Sequence, residues 1–233
     1  MTKSMFKTIF FTAFSVTLGV QAWAQPYGEA FDGGWPDGRA YLESGINTAI
    51  EDARIYDNFE YNGTHLVVSW VFGRFLIDKP AASQLYYEFR QNVGPGNGGD
   101  VLVSGTVPAT MFDTGVIGIG GLKVWLIYGD IPRLTFEPGD YWLSVTPVGD
   151  ATGNYYLPTT DGHSGQGQPL GDGNTFYDSK TFGADFDPTT DWLGDDTWDF
   201  SMGFGNNEIP EPATLFAMLG GLGLTAVLKR RRP

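Results

Sequence analysis

The sequence predicts an all-β fold, an antiparallel β-sandwich of the jelly-roll type. Short runs rich in β-branched and aromatic residues recur through the middle of the chain, as in 64–72 (THLVVSWVF) and 122–128 (LKVWLIY). Clusters of glycine and proline, such as 94–99 and 137–140, separate these runs and are typical of turns. Helical periodicity is weak throughout, so strands joined by turns must form the core.

The strands follow one another between these turns. We expect strands at 64–72, 85–90, 101–104, 122–128, 133–136, 141–146 and 197–204. Gly94, Gly96 and Gly99 have the spacing of a dinucleotide-binding loop. A strand follows them where that loop needs a helix, so they predict a hairpin turn. The most helix-like segment is 45–56, and its pattern is weak.

The N-terminus has the three parts of a secretory signal peptide. Lys3 and Lys7 form a basic start, and an apolar run follows at 8–20. Ala22 and Ala24 then flank Trp23 in the small-x-small pattern of a cleavage site. We expect signal peptidase to cut after Ala24 and leave Gln25 as the first residue. The alternative, an uncleaved anchor helix, requires a longer apolar run.

The C-terminus also has three parts. Pro210-Glu211-Pro212 breaks regular structure, and the uncharged segment 213–228 follows. As a helix these 16 residues span about 24 Å, short for a bilayer core of about 30 Å unless it thins locally. The basic cluster Lys229, Arg230, Arg231 and Arg232 then belongs on the cytoplasmic side.

This tail, together with the signal peptide, resembles the PEP-CTERM family of exported bacterial proteins. The resemblance implies recognition by an exosortase in a Gram-negative bacterium that makes exopolysaccharide, transient anchoring in the inner membrane, and release at the cell surface or into the matrix. Segments 56–63, 136–144 and 198–204 also resemble a sandwich domain often found ahead of such tails. We therefore expect a signal peptide at 1–24, an extracellular domain at 25–208 and a sorting signal at 209–233.

The composition of the exported part limits its function. Residues 25–210 contain eight Lys and Arg against 26 Asp and Glu, a net charge of −18. An acidic surface repels phosphates, which argues against a nucleic-acid partner. The chain has no cysteine, which excludes disulfides, thiolate catalysis and Cys-ligated metals. About 186 residues are enough for one sizeable core.

The motifs of known enzymes are incomplete in this chain. Segment 162–166 (GHSGQ) departs from the nucleophile-elbow pattern at its last position, and no helix pattern follows. His65 and His163 are the only histidines, which disfavours a catalytic triad. Glu60, Glu88 and Glu137 could include a glycosidase pair, but spacing along the sequence cannot show whether two of these carboxyls lie roughly 5–10 Å apart. A noncatalytic protein is favoured over a secreted hydrolase.

The segment from 161 to 199 is the best candidate for specific chemistry because it is rich in aspartate, glycine and asparagine. Calcium is bound by carboxylate and carbonyl oxygens that such loops supply. We hypothesise a structural calcium site formed by Asp185, Asp187, Asp191, Asp195 and Asp196. Thr189 and Thr190 break the EF-hand pattern here. The alternative is a solvated acidic loop.

The tryptophans divide into two groups. Trp70, Trp125, Trp142 and Trp198 lie on predicted strands, where large aromatic residues fill a core. Trp192 lies in the acidic loop, where we expect it to be exposed and able to contact a glycan.

Three classes of function remain open. The first, which we favour, is a noncatalytic surface or matrix protein that associates with exopolysaccharide. The others are a carbohydrate-binding module with a defined ligand and, less strongly indicated, a secreted hydrolase. The expected partners are signal peptidase, an exosortase, the inner membrane and exopolysaccharide, with structural calcium as the one cofactor considered.

Overall fold

A computed structural model describes residues 29–47, 50–149, 153–162, 165–167, 169–194 and 198–206. The predicted signal cleavage site, at Ala22, Ala24 and Gln25, lies outside these residues. So does the whole predicted sorting signal, with Pro210, Glu211 and Pro212, segment 213–228, and Lys229, Arg230, Arg231 and Arg232. In the part of the chain that is described, no helix is both long and apolar enough to cross a bilayer.

The described chain is all-β, and its strands pair in two antiparallel sheets. The strands are β1 (Glu29–Asp32), β2 (Tyr41–Glu43), β3 (Ala53–Tyr61), β4 (Leu66–Ile77), β5 (Ala82–Gln91), β6 (Asp100–Pro108), β7 (Thr110–Ile117), β8 (Lys123–Phe136), β9 (Gly139–Gly149), β10 (Tyr155–Thr160), β11 (Thr175–Ser179), β12 (Ala184–Pro188), β13 (Asp199–Phe200) and β14 (Met202–Gly205). Helical structure in these residues consists of a 3-10 turn at Ile119–Gly121 and the short helix α1 (Thr190–Leu193).

The order of the strands brings distant parts of the chain together. One sheet has six strands in the order β12-β11-β3-β9-β5-β6. The other has eight strands and follows the path β1-β14-β4-β10-β13, with β2 paired to β10, β8 paired to β4, and β7 paired to β8. β6 and β7 are separated by Ala109 alone, so the chain passes there from an edge of the first sheet to the second.

Aromatic side chains from both sheets form one core, the arrangement of a β-sandwich. Phe59 of β3 lies near its centre, with its ring 4.6 Å from that of Phe204 on β14 and 5.3 Å from that of Tyr141 on β9. Phe89 and Phe136 pack around the same ring. Alternation along β3 explains the placement, because residues 55, 57 and 59 face the core while 54, 56 and 58 face outward.

The outer faces of both sheets are also largely covered. On the six-stranded sheet, a second cluster of buried apolar residues comprises Tyr56, Val93, Trp142, Phe176 and Phe186. On the eight-stranded sheet, Trp70, Phe72, Arg74 and Leu76 of β4 are buried although they do not belong to the main core. Burial on both faces explains why β4 reads as a nearly continuous apolar run.

Several predictions from the sequence are confirmed. The runs at 85–90, 101–104 and 141–146 fall within β5, β6 and β9, and the run at 64–72 overlaps β4, which begins at Leu66. The glycine-rich segment 94–99 joins β5 to β6 as a hairpin, in which Gly96 and Gly99 adopt positive φ angles. Trp70, Trp142 and Trp198 are buried, and Trp125 packs partly buried against the core.

Other predictions are wrong in detail. The two strands expected at 122–128 and 133–136 are parts of one long strand, β8, which begins at Lys123, because both pair with β4 on either side of a bulge. The single strand expected at 197–204 is divided at Ser201, whose amide bonds to the Pro158 carbonyl while the next residues pair with β4. No helix forms in 53–56, because Ile55 and Tyr56 pair with β11 and are buried on both faces.

The acidic segment 161–199 contains more structure than the loop that was expected. β11 and β12 form a hairpin there, and α1 follows directly. Phe176 and Tyr177 on β11 are both buried, one on each face of the sheet. Their burial overrides the turn-forming tendency of the aspartates and glycines around them.

Candidate functional site

The acidic residues proposed as calcium ligands are distributed over two elements. Asp185 and Asp187 lie on β12, and Asp191 lies in the first turn of α1. Asp187 already accepts a hydrogen bond from Nε1 of Trp192, at 3.3 Å. Among the described residues, no group of three or more Asp, Glu, His or Cys side chains could hold a metal ion. Asp195 and Asp196 lie outside those residues, so the calcium site stays a prediction.

Trp192 is exposed as predicted, with 39% of its surface accessible. Its ring meets the buried ring of Tyr177 edge-on at 5.1 Å, and Tyr177 stacks on Phe182 at 6.4 Å. We call this group, Tyr177, Phe182, Asp187 and Trp192, the aromatic corner. It lies where β11, β12 and α1 meet, at one edge of the six-stranded sheet.

The aromatic corner has the chemistry of a sugar-contacting surface. The edge-on contact and the hydrogen bond to Asp187 hold the indole of Trp192 in one orientation, so little side-chain entropy remains to be lost on binding. Burial raises the pKa of the Tyr177 hydroxyl to about 12, so it remains neutral at physiological pH. A flat ring beside a carboxylate can stack on the apolar face of a sugar while the carboxylate accepts from a hydroxyl.

A second exposed tryptophan, Trp35, borders a cleft that the sequence did not indicate. The cleft has a volume of about 330 Å³ and is lined by Trp35, Pro36, Leu76, Ile117, Val124 and Pro158 among others. It lies on the outer face of the eight-stranded sheet. Its size is at the lower end of the range for small-molecule sites, and its walls are mostly apolar, as is usual for such sites.

A buried ion pair holds the loop that carries Trp35. Arg74 on β4 bonds through both terminal nitrogens to the carboxylate of Asp32, at 2.6 and 2.7 Å, and also donates to the Gly34 carbonyl. The Arg74 guanidinium lies 4.8 Å from the centre of the Trp35 ring. At the rim of the cleft, Asp37 accepts hydrogen bonds from Arg39 and Thr159. The position of Trp35 is therefore set by contacts to β4.

Trp35 was not predicted from the sequence, because it lies neither on a predicted strand nor in the acidic segment. A usable signal was present. Trp35 lies in the turn-forming segment 33–38 (GGWPDG), where a large aromatic side chain is not needed to fill a strand-based core. The partner Arg74, 39 positions further along the chain, could not be inferred from that signal.

Glu88 forms the best-connected polar group on the outer face of the six-stranded sheet. Its carboxylate accepts hydrogen bonds from Tyr56, at 3.2 Å, and from Tyr86 and Arg90, with Arg54 at 3.8 Å. Burial, and then the hydrogen bond to Glu88, raise the pKa of Tyr86 to about 12. Glu88 is 2% exposed. Its oxygens are thus engaged with neighbouring side chains and turned away from solvent, which suits a role in holding strands together.

The other two glutamates considered for a glycosidase pair lie elsewhere on the sheets. Glu137 is on the surface, where its carboxylate lies 3.2 Å from Nδ1 of the exposed His65 ring. Glu60 is exposed on β3 and accepts a hydrogen bond from Asn62. The described contacts therefore place Glu60, Glu88 and Glu137 in three different environments.

Two buried aspartates lie on the core side where β3, β11 and β13 meet. Asp57 accepts a hydrogen bond from the Phe200 amide at 2.8 Å, and Asp199 accepts from the amides of Gly171 and Gly173. Burial, and then the negative charge of Asp199, raise the pKa of Asp57 well above its usual range. Burial also raises the pKa of Asp199. These carboxyls make the stability of the fold sensitive to pH.

Comparison with protein-family models, with curated proteins and with solved structures finds no match to this chain. The features that bear on function are therefore the terminal signals in the sequence, the acidic all-β domain and the two surfaces that expose Trp35 and Trp192.

Proposed function

We propose that this chain is an exported, noncatalytic surface or matrix protein, sorted and processed through its PEP-CTERM tail and associated with exopolysaccharide. The observation that carries the proposal is the ordered tail, Pro210-Glu211-Pro212, an uncharged segment and a basic end, which follows an acidic all-β domain. In this proposal the domain is a jelly-roll-like sandwich. The helix at 213–228 anchors it in the inner membrane until an exosortase releases it.

The spacing between domain and tail supports the proposal. β14 ends at Gly205 and pairs on both sides, with β1 and with β4. Pro210 follows five positions later, a distance of at most about 18 Å for an extended chain. Every strand of the two described sheets thus lies before the sorting motif, so the proposed removal of the tail would take away none of them.

Association with exopolysaccharide is expected to depend on the aromatic corner. Replacing Trp192 with alanine removes the exposed ring, and an aromatic contact is worth about 1 kcal/mol, so apparent affinity should fall by roughly fivefold to tenfold. The measurement is co-sedimentation of the exported protein with exopolysaccharide from the producing cells. Phe112→Ala is the matched control, because Phe112 is similarly exposed but lies on β7, away from the corner. If both variants lose the same affinity for exopolysaccharide, the aromatic corner has no specific role in binding it.

A carbohydrate-binding module with a defined glycan is the second candidate, and the Trp35 cleft is the observation that favours it. A cleft with apolar walls and a fixed tryptophan can enclose a single sugar unit. On a glycan array, this candidate requires a saturable signal that Trp35→Ala lowers about tenfold or more and Trp192→Ala preserves. If no glycan on the array gives a saturable signal and the protein still sediments with exopolysaccharide, the result supports the matrix-protein proposal over the carbohydrate-binding module.

Structural calcium is retained in the proposal as a separate feature of the acidic segment. Asp185, Asp187 and Asp191, with Asp195 and Asp196, would supply its carboxylate ligands. A site of this kind predicts that millimolar calcium raises the melting temperature and that EDTA lowers it. A melting curve that neither reagent moves would exclude it.

A further inference from the structure

We propose that the Trp35 cleft continues into a second sugar subsite at Tyr41 and Tyr156, so that this face of the protein binds a chain of neutral sugars. The inference rests on the second candidate function, a carbohydrate-binding module, and adds to it the length and the charge of the ligand. It starts from the position of the two tyrosines, which adjoin the cleft on the outer face of the eight-stranded sheet.

Strand pairing fixes the position of the second subsite. Tyr41 on β2 lies opposite Pro158 on β10. Tyr156, two positions before Pro158 and therefore on the same face, lies opposite Leu76 on β4. Pro158 and Leu76 both line the cleft. Because paired strands are about 5 Å apart, the two tyrosines stand directly beside the cleft wall.

The two tyrosine rings form an aromatic surface of fixed geometry. Their centres are 4.9 Å apart, and their planes meet at 61°. Tyr41 is 37% exposed, close to the 39% of Trp35. An exposed ring can stack on the apolar face of a sugar, and a ring that its neighbour already holds loses little side-chain entropy on binding. The cleft and the tyrosines thus offer two aromatic contacts to one chain.

Exposed apolar side chains gather around this face. Nine large hydrophobic side chains are exposed among the described residues, and four of them line the cleft or adjoin it. These four are Trp35, Tyr41, Val116 and Ile117. A gathering of this kind is typical of a surface that binds a ligand.

Two carboxyl groups border the aromatic surfaces. Asp37 lies in the wall of the cleft. Glu43 follows Tyr41 by two positions on β2 and is the cross-strand partner of Tyr156. Burial raises the pKa of Glu43 to about 7, so near neutral pH its carboxyl is partly protonated and can donate as well as accept a hydrogen bond. Rings and carboxyls together suit a ligand that has both apolar faces and hydroxyls.

The charges at this face favour a neutral ligand. Burial, and then the negative charge of Glu43, raise the pKa of the Tyr156 hydroxyl, and Asp78 acts in the same direction. The exported part of the chain also carries a net charge of −18. A chain of uronic acids would be repelled by these carboxylates. Neutral oligosaccharides are therefore the expected class of ligand.

Titration calorimetry with oligosaccharides of one to six units tests the length of the site in the exported protein. The probes are neutral oligomers of glucose, mannose and galactose, with oligogalacturonates as the charged comparison. In at least one neutral series the dissociation constant should fall about tenfold or more between the monomer and the tetramer, because only the longer chain reaches the tyrosines. Oligogalacturonates should bind more weakly than the neutral tetramer.

Variants of Tyr41 separate the two subsites. Tyr41→Ala should raise the dissociation constant of the tetramer about threefold to tenfold and leave that of the monomer, which the cleft holds, unchanged. Unchanged monomer binding also shows that this variant is folded. Tyr41→Phe keeps the ring and should stay close to wild type, whereas Trp35→Ala should weaken both ligands. Leu102→Ala is the control, because Leu102 is 44% exposed but lies on the other sheet.

Three results would overturn the proposal: affinity that does not rise beyond the monomer, a Tyr41→Ala protein that binds the tetramer as well as wild type does, or an oligogalacturonate as the tightest ligand. Monomer binding that depends on Trp35, with no gain for longer chains, would remove the second subsite and retain the carbohydrate-binding candidate. If no neutral oligosaccharide binds while the protein still sediments with exopolysaccharide, both fail and the matrix-protein proposal stands.

Discussion

Replacing Arg74 with methionine is expected to lower the free energy of unfolding by about 3–5 kcal/mol. Arg74 and Asp32 are both almost completely buried, at 1% and 4% exposure. Methionine fills much of the same volume but leaves the Asp32 carboxylate buried without a compensating charge, which is costly. Chemical denaturation monitored by tryptophan fluorescence gives the change directly.

Two variants complete this experiment. Lys123→Met breaks the ion pair with Asp113, but both side chains are accessible to solvent, at 53% and 34%, so the cost should stay below about 1 kcal/mol. Asp32→Asn combined with Arg74→Met removes the orphaned charge and should recover part of the loss. An Arg74→Met protein as stable as wild type would contradict the view that this ion pair fixes the Trp35 loop.

The protein is expected to be more stable at mildly acidic pH than at alkaline pH. Burial raises the pKa of Asp57, Asp199, Asp52, Asp178 and Glu43, the last from 4.5 to about 7. A carboxyl whose pKa is higher in the folded state binds its proton more tightly there than in the unfolded chain. Stability is therefore lost as pH rises from the unfolded pKa through the folded pKa.

Asp57→Asn should remove a large part of this pH dependence. The amide keeps an oxygen that can accept from the Phe200 amide but cannot ionise. Melting temperatures measured from pH 5 to pH 8 should fall by several degrees for wild type, since each kcal/mol corresponds to about 2–4 °C in a domain of this size. The Asp57→Asn curve should be flatter and lie above wild type at pH 8.

Asp113→Asn is the control for this series. The side chain of Asp113 is on the surface, and its hydrogen bond with Lys123 lowers its pKa, the opposite direction from the buried group. The melting temperature of this variant should vary with pH between pH 5 and pH 8 as that of wild type does, because the lowered pKa of Asp113 keeps its carboxylate ionised over that whole range. A wild-type protein whose stability increases steadily from pH 5 to pH 8 would contradict the prediction that the buried carboxyls dominate the pH dependence of stability.

Local chemistry made part of this fold predictable. The β-branched run around Val67 and Val71 favours a strand, and Gly96 and Gly99 favour a hairpin turn because few other residues accept their backbone angles. These features depend on neighbours within a few residues. Pairing partners depend on the rest of the chain, which is why the division at Ser201 and the single long strand β8 were not foreseen.

The candidate surfaces were less predictable for the same reason. Trp192 could be proposed because it lies beside aspartates in the sequence, and Asp187 is indeed its hydrogen-bond partner. Trp35 takes its position from Arg74, and Glu88 is held by side chains from β3 as well as its own strand. The residues of such sites come from strands that are far apart in the sequence, so a single sequence does not show that they meet.

The mass of the intact exported protein is the most direct test of the central claim, that the tail is a transient membrane anchor that is removed from an extracellular β domain. The protein is expressed in a Gram-negative host that contains an exosortase and is recovered from outside the inner membrane. The account predicts a chain that begins at Gln25 and lacks residues 213–233. Pro210→Ala/Pro212→Ala is the control and should retain the tail at the membrane. An exported wild-type chain that still carries residues 213–233 would contradict the account.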